Sequence, residues 1–173
     1  RKKYFLKRQK NYSVIKKDFF FPLIPLFKKL KKKYISIYYP NSYEINVFKI
    51  LEIDYFKKFN FLLPGIKDNN SMDFYFWKKN DILKVNKYGI LEPFKSLKAT
   101  PNIALVPLLA FDKQKNRLGY GKGFYDKYLS KYKKINKSII TVGVAFSFQK
   151  YNNLPISDSD FKLDYIITEK GIF

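Results

Sequence analysis

The stretch that decides the fold is residues 106–129, VPLLAFDKQKNRLGYGKGFYDKYL. An apolar run suited to a buried strand gives way to a polar connection, the connection becomes glycine-rich, and a helix-compatible segment begins at Gly123. Gly119, Gly121 and Gly123 fall at every second position. A backbone without Cβ atoms can turn its N–H groups toward an anion, and the N-terminus of the helix behind it adds partial positive charge. The segment reads as a phosphate cradle. Lys122 supplies a point charge for phosphate oxygens, Arg117 a planar fork, and Asp126 a carboxylate able to hold Mg²⁺ against the same phosphates. The string is not a Walker loop, since no Lys-Ser/Thr pair follows the last glycine, and GxGxG lacks the final spacing of the dinucleotide fingerprint. On glycine spacing alone, a flexible connection with a capped helix is the other reading.

Outward from this segment the pattern alternates. Strand-like runs lie at 34–39 (YISIYY, closed by Pro40), 59–63 (closed by Pro64-Gly65), 72–77, 103–109, 138–146 and 165–168. Helical spacing fits 43–58, through Ile45, Phe48, Ile53 and Phe56, and 123–132. Ile- and Val-rich strands alternating with helices predict an α/β protein, a three-layer α/β/α sandwich around a mostly parallel, Rossmann-like sheet. Ligands of such sheets sit at the carboxyl ends of the strands. At 173 residues and 46% hydrophobic, the chain has material for one core, so residues 1–173 are expected to form a single domain.

Residues 1–33 carry thirteen Lys or Arg against one acid, Asp18, and are read as a basic helical N-terminal segment. Such a run is either a solvated face or a phosphate-facing helix. The sequence opens on Arg1 and not on Met, so further residues are expected ahead of it. Residues 19–27 (FFFPLIPLF) read as a buried loop and helix start; no stretch approaches the roughly 20 apolar residues that span a bilayer.

Composition sets the chemistry. Cysteine and histidine are both absent, which excludes disulfides, thiol nucleophiles, Cys/His zinc sites and every imidazole base. An enzyme built from this chain works with carboxylates, Lys, Arg, Tyr, backbone amides and bound metal. The formal charge of +21 would ordinarily suggest nucleic acid. Yet Lys, Asn, Ile, Phe and Tyr make up 96 residues, and all five have AT-rich codons, so charge says little about partners. The same bias makes rare residues informative: only three arginines (Arg1, Arg8, Arg117) and seven glycines occur.

The string RLGYGKGFYDKYL resembles the signature of the 5-formyltetrahydrofolate cyclo-ligase family. The likeness extends to KKYISIYYPNSYEI, MDFYFW, YGILEP, VGVAFSFQ, LPISDSDFKLDYIIT and the basic opening RKKYFLKRQ, in order and with compatible spacing. It implies a carbon–nitrogen ligase that uses ATP and Mg²⁺ to convert 5-formyltetrahydrofolate to 5,10-methenyltetrahydrofolate, with release of ADP and phosphate. By the same resemblance, Arg1, Arg117, Gly119, Gly121, Lys122, Gly123, Phe124, Tyr125 and Asp126 would contact ATP, with Lys122, Arg117 and Tyr125 at the chemistry. Asp126 and Asp164 would hold the metal, and Tyr38, Glu44, Met72, Tyr88 and Tyr125 would bind the folate. Each has a plainer reading: Asp126 as a helix-face partner of Lys122, Asp164 as a solvated turn residue, the aromatics as packing.

The sequence also departs from the family pattern. Glu44 is followed by Ile45, Asn46 and Val47 where relatives carry Glu-x-Asp-Thr, Asn102 replaces a frequent acid, and Phe124 replaces a frequent Tyr. The resemblance further implies a cytoplasmic monomer whose partner is a folate, possibly polyglutamylated, with no specific nucleic acid and no membrane. The rivals are a basic nucleic-acid-binding protein and a catalytically silent folate-binding relative.

Overall fold

A computed structural model describes residues 1–28, 34–94, 96–135 and 139–173. In chain order the elements are α1 (Lys2–Lys10), a 3₁₀ helix (Lys17–Leu23) running into α2 (Ile24–Lys28), β1 (Tyr34–Ser36), two 3₁₀ turns (Val47–Glu52 and Asp54–Phe56), β2 (Asn60–Ile66) and β3 (Met72–Trp77). A hairpin of β4 (Leu83–Val85) and β5 (Leu91–Pro93) precedes β6 (Ile103–Pro107). A second hairpin of β7 (Ala110–Phe111) and β8 (Arg117–Leu118) leads into α3 (Phe124–Ile135), followed by β9 (Ile140–Val144), β10 (Tyr165–Thr168) and β11 (Gly171–Ile172).

Seven strands form one sheet in the order β11-β10-β9-β6-β1-β2-β3. The five central strands are parallel; β3 and β11 close the edges antiparallel. Side chains alternate faces with the period of two that a strand dictates. Ile103 and Leu105 of β6 join Ile35, Val142, Phe20 and Phe27 on one face, while Ala104 and Val106 join Phe74, Ile166 and the α3 residues Tyr128 and Leu129 on the other. Both faces are therefore covered, giving the α/β layering that the sequence predicts.

The sheet order fixes where a ligand goes. Connections run outward in opposite directions from the adjacent pair β1 and β6, so the crevice outside their carboxyl ends is the topological switch point. The turn carrying Glu44 leaves β1 there, and the glycine loop is reached from β6.

Local differences from the sequence reading have physical causes. The helix expected over 43–58 is two 3₁₀ turns, the first capped by Asn46, whose side chain accepts the Phe48 N–H at 3.1 Å. Ile53 between them is extended (φ −100°, ψ 119°), which breaks any continuous helix. Pro64-Gly65 does not end the strand: the register with β1 stops at Leu62, beyond which proline has no N–H to carry the ladder on, but β2 stays paired with β3 through Pro64↔Phe74 and Gly65↔Asp73. The strand expected over 34–39 is limited to Tyr34–Ser36, and of the run at 138–146 residue 138 lies outside the described residues. The basic N-terminal segment is helical in pieces, with residues 29–33 likewise outside the description.

Candidate active site

The glycine loop is built by the β7–β8 hairpin and ended by α3. Leu109 donates its N–H to the Leu118 carbonyl at 2.8 Å, which pins the hairpin and delivers Arg117 at the base of the loop. Arg117 is only 6% exposed. Its Nη2 pairs with Asp126 Oδ1 at 2.8 Å, and its Nε has no hydrogen-bond partner among the described residues. Asp126 Oδ1 also accepts the Phe161 N–H at 3.1 Å. The carboxylate and the fork thus hold each other beneath the loop, and the Lys122–Asp126 pair weighed from the sequence is replaced by this one.

Gly119 and Gly121 are set by close approach and by backbone conformation. A Cβ on Gly119 would lie 2.8 Å from Arg117 Nη1. Gly121 has φ +99°, and a Cβ there would come within 3.3 Å of the Arg1 side chain. Arg1 reaches the loop from α1, its Nε donating to the Gly119 carbonyl at 3.1 Å. Lys122 is exposed at the loop's crest, with Nζ 5.4 Å from the Tyr88 ring centroid, and Tyr88 in turn meets Phe124 edge-on at 5.6 Å.

The residues expected to bind the folate fall into two groups. Tyr38, Glu44 and Tyr125 share one. Tyr38 is buried with its hydroxyl donating to the Ile45 carbonyl at 3.0 Å, and burial, with Glu44 nearby, pushes that hydroxyl's pKa well above the phenol value. Tyr125 lies under the Arg117 guanidinium, 5.7 Å from ring centroid to Cζ, and its buried hydroxyl has no partner among the described residues. Glu44 is 9% exposed, and its Oε2 accepts the Asn41 N–H at 2.9 Å. Burial raises the Glu44 pKa, with the Asn41 amide, the Tyr120 hydroxyl and Arg8 opposing. The Glu44 turn lines a cavity of about 420 Å³ with Tyr12, Tyr39, Tyr43, Asn46 and Phe48. Met72 and Tyr88 form the other group, beside Phe124; Met72 and Phe124 line a separate cavity of about 140 Å³ with Lys67, Lys98 and Lys127.

Asp164 is held by partners of its own. It precedes β10 at the amino ends of the strands, where its Oδ2 accepts the Thr141 N–H and hydroxyl, each at 2.8 Å, and Oδ1 pairs with Lys133 at 2.5 Å. Both Asp164 oxygens are therefore engaged, by Thr141 and Lys133, while Asp126 is engaged by Arg117 and the Phe161 N–H. The structure makes Asp164 a clamp between β9, β10 and α3.

Two residues that the sequence reading left out complete the site. Arg8 is the one buried residue of α1, at 1% exposed. Its Nη1 donates to the Leu108 carbonyl at 3.1 Å, and Nη2 to the Ser42 carbonyl at 2.7 Å and to the Tyr120 hydroxyl. Tyr120, within the glycine loop, also lies near enough to Glu44 that its hydroxyl opposes the burial-driven rise of the Glu44 pKa. All three arginines of the chain thus converge on the loop, and their rarity was the signal that could have found Arg8.

The fold and this site define an α/β enzyme with a glycine-rich, arginine-lined loop at the switch point of its sheet. The sequence model of the 5-formyltetrahydrofolate cyclo-ligase family matches residues 19–169, and the chain belongs to that family. It is 32% identical over 145 residues to the 5-formyltetrahydrofolate cyclo-ligase of Haemophilus influenzae, covering 80% of this chain and 76% of that one. A probable 5-formyltetrahydrofolate cyclo-ligase of Schizosaccharomyces pombe is 29% identical over 164 residues, covering 86% and 80%. Among solved structures, the 5,10-methenyltetrahydrofolate synthetase of Aquifex aeolicus superposes with a TM-score of 0.74 at 29% identity, over 99% of this chain and 88% of that one. The protein is accordingly a carbon–nitrogen ligase of the folate cyclo-ligase class. Among the described residues no helix is long and apolar enough to cross a membrane.

Proposed function

We propose that this ligase closes 5-formyltetrahydrofolate to 5,10-methenyltetrahydrofolate using MgATP. The γ-phosphoryl group is transferred to the formyl oxygen, substrate N10 attacks the formyl carbon and loses its proton, and phosphate departs with that oxygen. The substrate brings its own nucleophile, so the protein need only align groups and balance charge. That suits a chain with no His and no Cys.

One observation carries the reading: a loop in which Gly119 leaves a Cβ no room and Gly121 and Gly123 hold left-handed backbone, ringed by Arg1, Arg117 and Lys122, at the switch point of the sheet. In this reading the amides of residues 119–123 and the Lys122 ammonium hold phosphate oxygens, with Arg1 alongside. The orphaned Nε of buried Arg117 is a donor in want of an acceptor, which fits an anion arriving above it. Mg²⁺ suits Asp126, whose side chain is 18% exposed, because this cation keeps waters and phosphate oxygens and needs only one or two carboxylates from the protein. Bound there, the metal neutralises phosphate charge; Arg117 meanwhile fixes the Asp126 rotamer and is chiefly a positioning group. Glu44 accepts hydrogen bonds from the pterin edge, Tyr38 and Tyr125 flank the ring system, and Met72, Tyr88 and Phe124 border its other side.

The test is to combine protein, MgATP and 5-formyltetrahydrofolate and follow the near-ultraviolet absorbance of the methenyl product alongside ADP release. Product forming only when all three are present supports the reading. Absence of product from folded protein overturns it.

A further inference from the structure

The buried guanidinium of Arg8 ties together parts of the chain that are far apart in sequence. Its donors go to three separate segments: the Leu108 carbonyl behind β6, the Ser42 carbonyl in the turn that presents Glu44, and the Tyr120 hydroxyl in the glycine loop. Tyr120 is the loop's end of this link: its oxygen accepts from Arg8, and Glu44 lies close beyond it.

The geometry of the turn shows why it needs holding. Ser42 (φ 50°) and Tyr43 (φ 65°) are consecutive non-glycine residues in left-handed backbone. Such conformations persist only where the surroundings over-determine them. Arg8 on the Ser42 carbonyl and Glu44 on the Asn41 N–H do so from two sides. The Tyr120 ring faces the same guanidinium at 5.4 Å, so the loop tip is tied to Arg8 through both face and hydroxyl.

Resting on the assignment of nucleotide to the glycine loop and folate to Glu44, we infer that Arg8 and Tyr120 are positioning residues that lock the glutamate turn to the glycine loop, so that filling either subsite preorganises the other. The coupling is reciprocal: whatever factor the nucleotide contributes to folate affinity, folate contributes to nucleotide affinity. Neither residue has to touch a reacting atom for this.

The test measures folate affinity by calorimetry with and without a non-hydrolysable MgATP analogue, in the intact protein and in Tyr120→Phe. The variant keeps the ring over Arg8 and removes only the hydroxyl, and at 45% exposure Tyr120 tolerates the change without a packing defect. The expected result is a wild-type affinity ratio of about fivefold or more, within the usual range for coupled sites, falling to within about twofold of unity in Tyr120→Phe. Arg8→Lys, which keeps the charge but cannot serve three acceptors in a fixed fork, should lose the ratio as well. A wild-type ratio in Tyr120→Phe overturns the inference. So does a wild-type protein that binds both ligands with a ratio of one, and that outcome leaves the proposed function standing. Failure of the wild type to bind either ligand overturns both.

Discussion

Replacing Asp126 by Asn separates two roles that the sequence alone does not distinguish. If Asp126 served only as a metal ligand, the metal-free protein would not notice the change. In the structure its Oδ1 neutralises Arg117, whose side chain is 5% exposed and whose Nε already lacks a partner. Removing one member of a buried pair leaves the other charge uncompensated, which costs about 3–5 kcal/mol. Because Asp126 keeps 18% side-chain exposure, the lower end, about 3 kcal/mol, applies. For a chain of this size each kcal/mol shifts Tm by about 2–4 °C, so the expected loss is about 6–12 °C. Differential scanning calorimetry in chelator-treated buffer reads it directly. Arg117→Met combined with Asp126→Asn removes the stranded charge while Asn still accepts the Phe161 N–H, so the double variant should lose less than the two single losses added. An Asp126→Asn protein melting within about 2 °C of wild type without metal would refute the reasoning.

Lys122→Ala should lower turnover by about 10²–10³-fold, the usual cost of one preorganised donor to developing charge, with Tm unchanged because Lys122 is exposed and its contact is the Tyr88 face; steady-state kinetics beside calorimetry check it. Gly121→Ala, at φ +99° and pressed on Arg1, should lose about 1–2 kcal/mol and weaken nucleotide binding, as denaturant melts and nucleotide titration would show. Glu44→Gln should gain stability relative to wild type as pH rises. Burial raises the folded pKa of Glu44 above 4.5, so ionisation disfavours the folded state from that pH upward; Tm differences should be near zero below it and grow above it. Asp73 titrates in the opposite sense. Burial alone would raise its pKa, but hydrogen bonds from Lys67 and Lys98 outweigh that and hold it below 3.8, so it stabilises the fold at neutral pH. Asp73→Asn should cost about 1.5–3 kcal/mol in urea melts at neutral pH, and the gap should close as pH falls below the native pKa.

What was legible in the sequence was what local pattern encodes. The edges of β3 and β10 coincide with residues 72–77 and 165–168, because alternating apolar runs there end at polar turns. The glycine loop and the helix behind it were readable from spacing, since a Cβ at Gly119 would fall 2.8 Å from the Arg117 guanidinium and Gly121 and Gly123 hold positive φ. Long-range partners left no such mark. Arg8 lies in a lysine-rich run, and two of its acceptors are backbone carbonyls 34 and 100 residues away, which no side chain announces. Asp164 shares the folate-family motif, yet Thr141 and Lys133 claim both its oxygens, and only the sheet register reveals that it sits at the amino ends of the strands. Pro64-Gly65 looked like a stop because the run of β2 past the end of β1 is a property of the sheet, not of the dipeptide.

The claim on which the account rests is that the loop between β8 and α3 seats the nucleotide's phosphates, and the chain's seven glycines make it open to direct observation. In a ¹⁵N-correlated NMR titration with MgATP, the amides of Gly119, Gly121 and Gly123 should shift together while those of Gly65, Gly143 and Gly171 stay in place. A titration that saturates with the three loop glycines unmoved would contradict it.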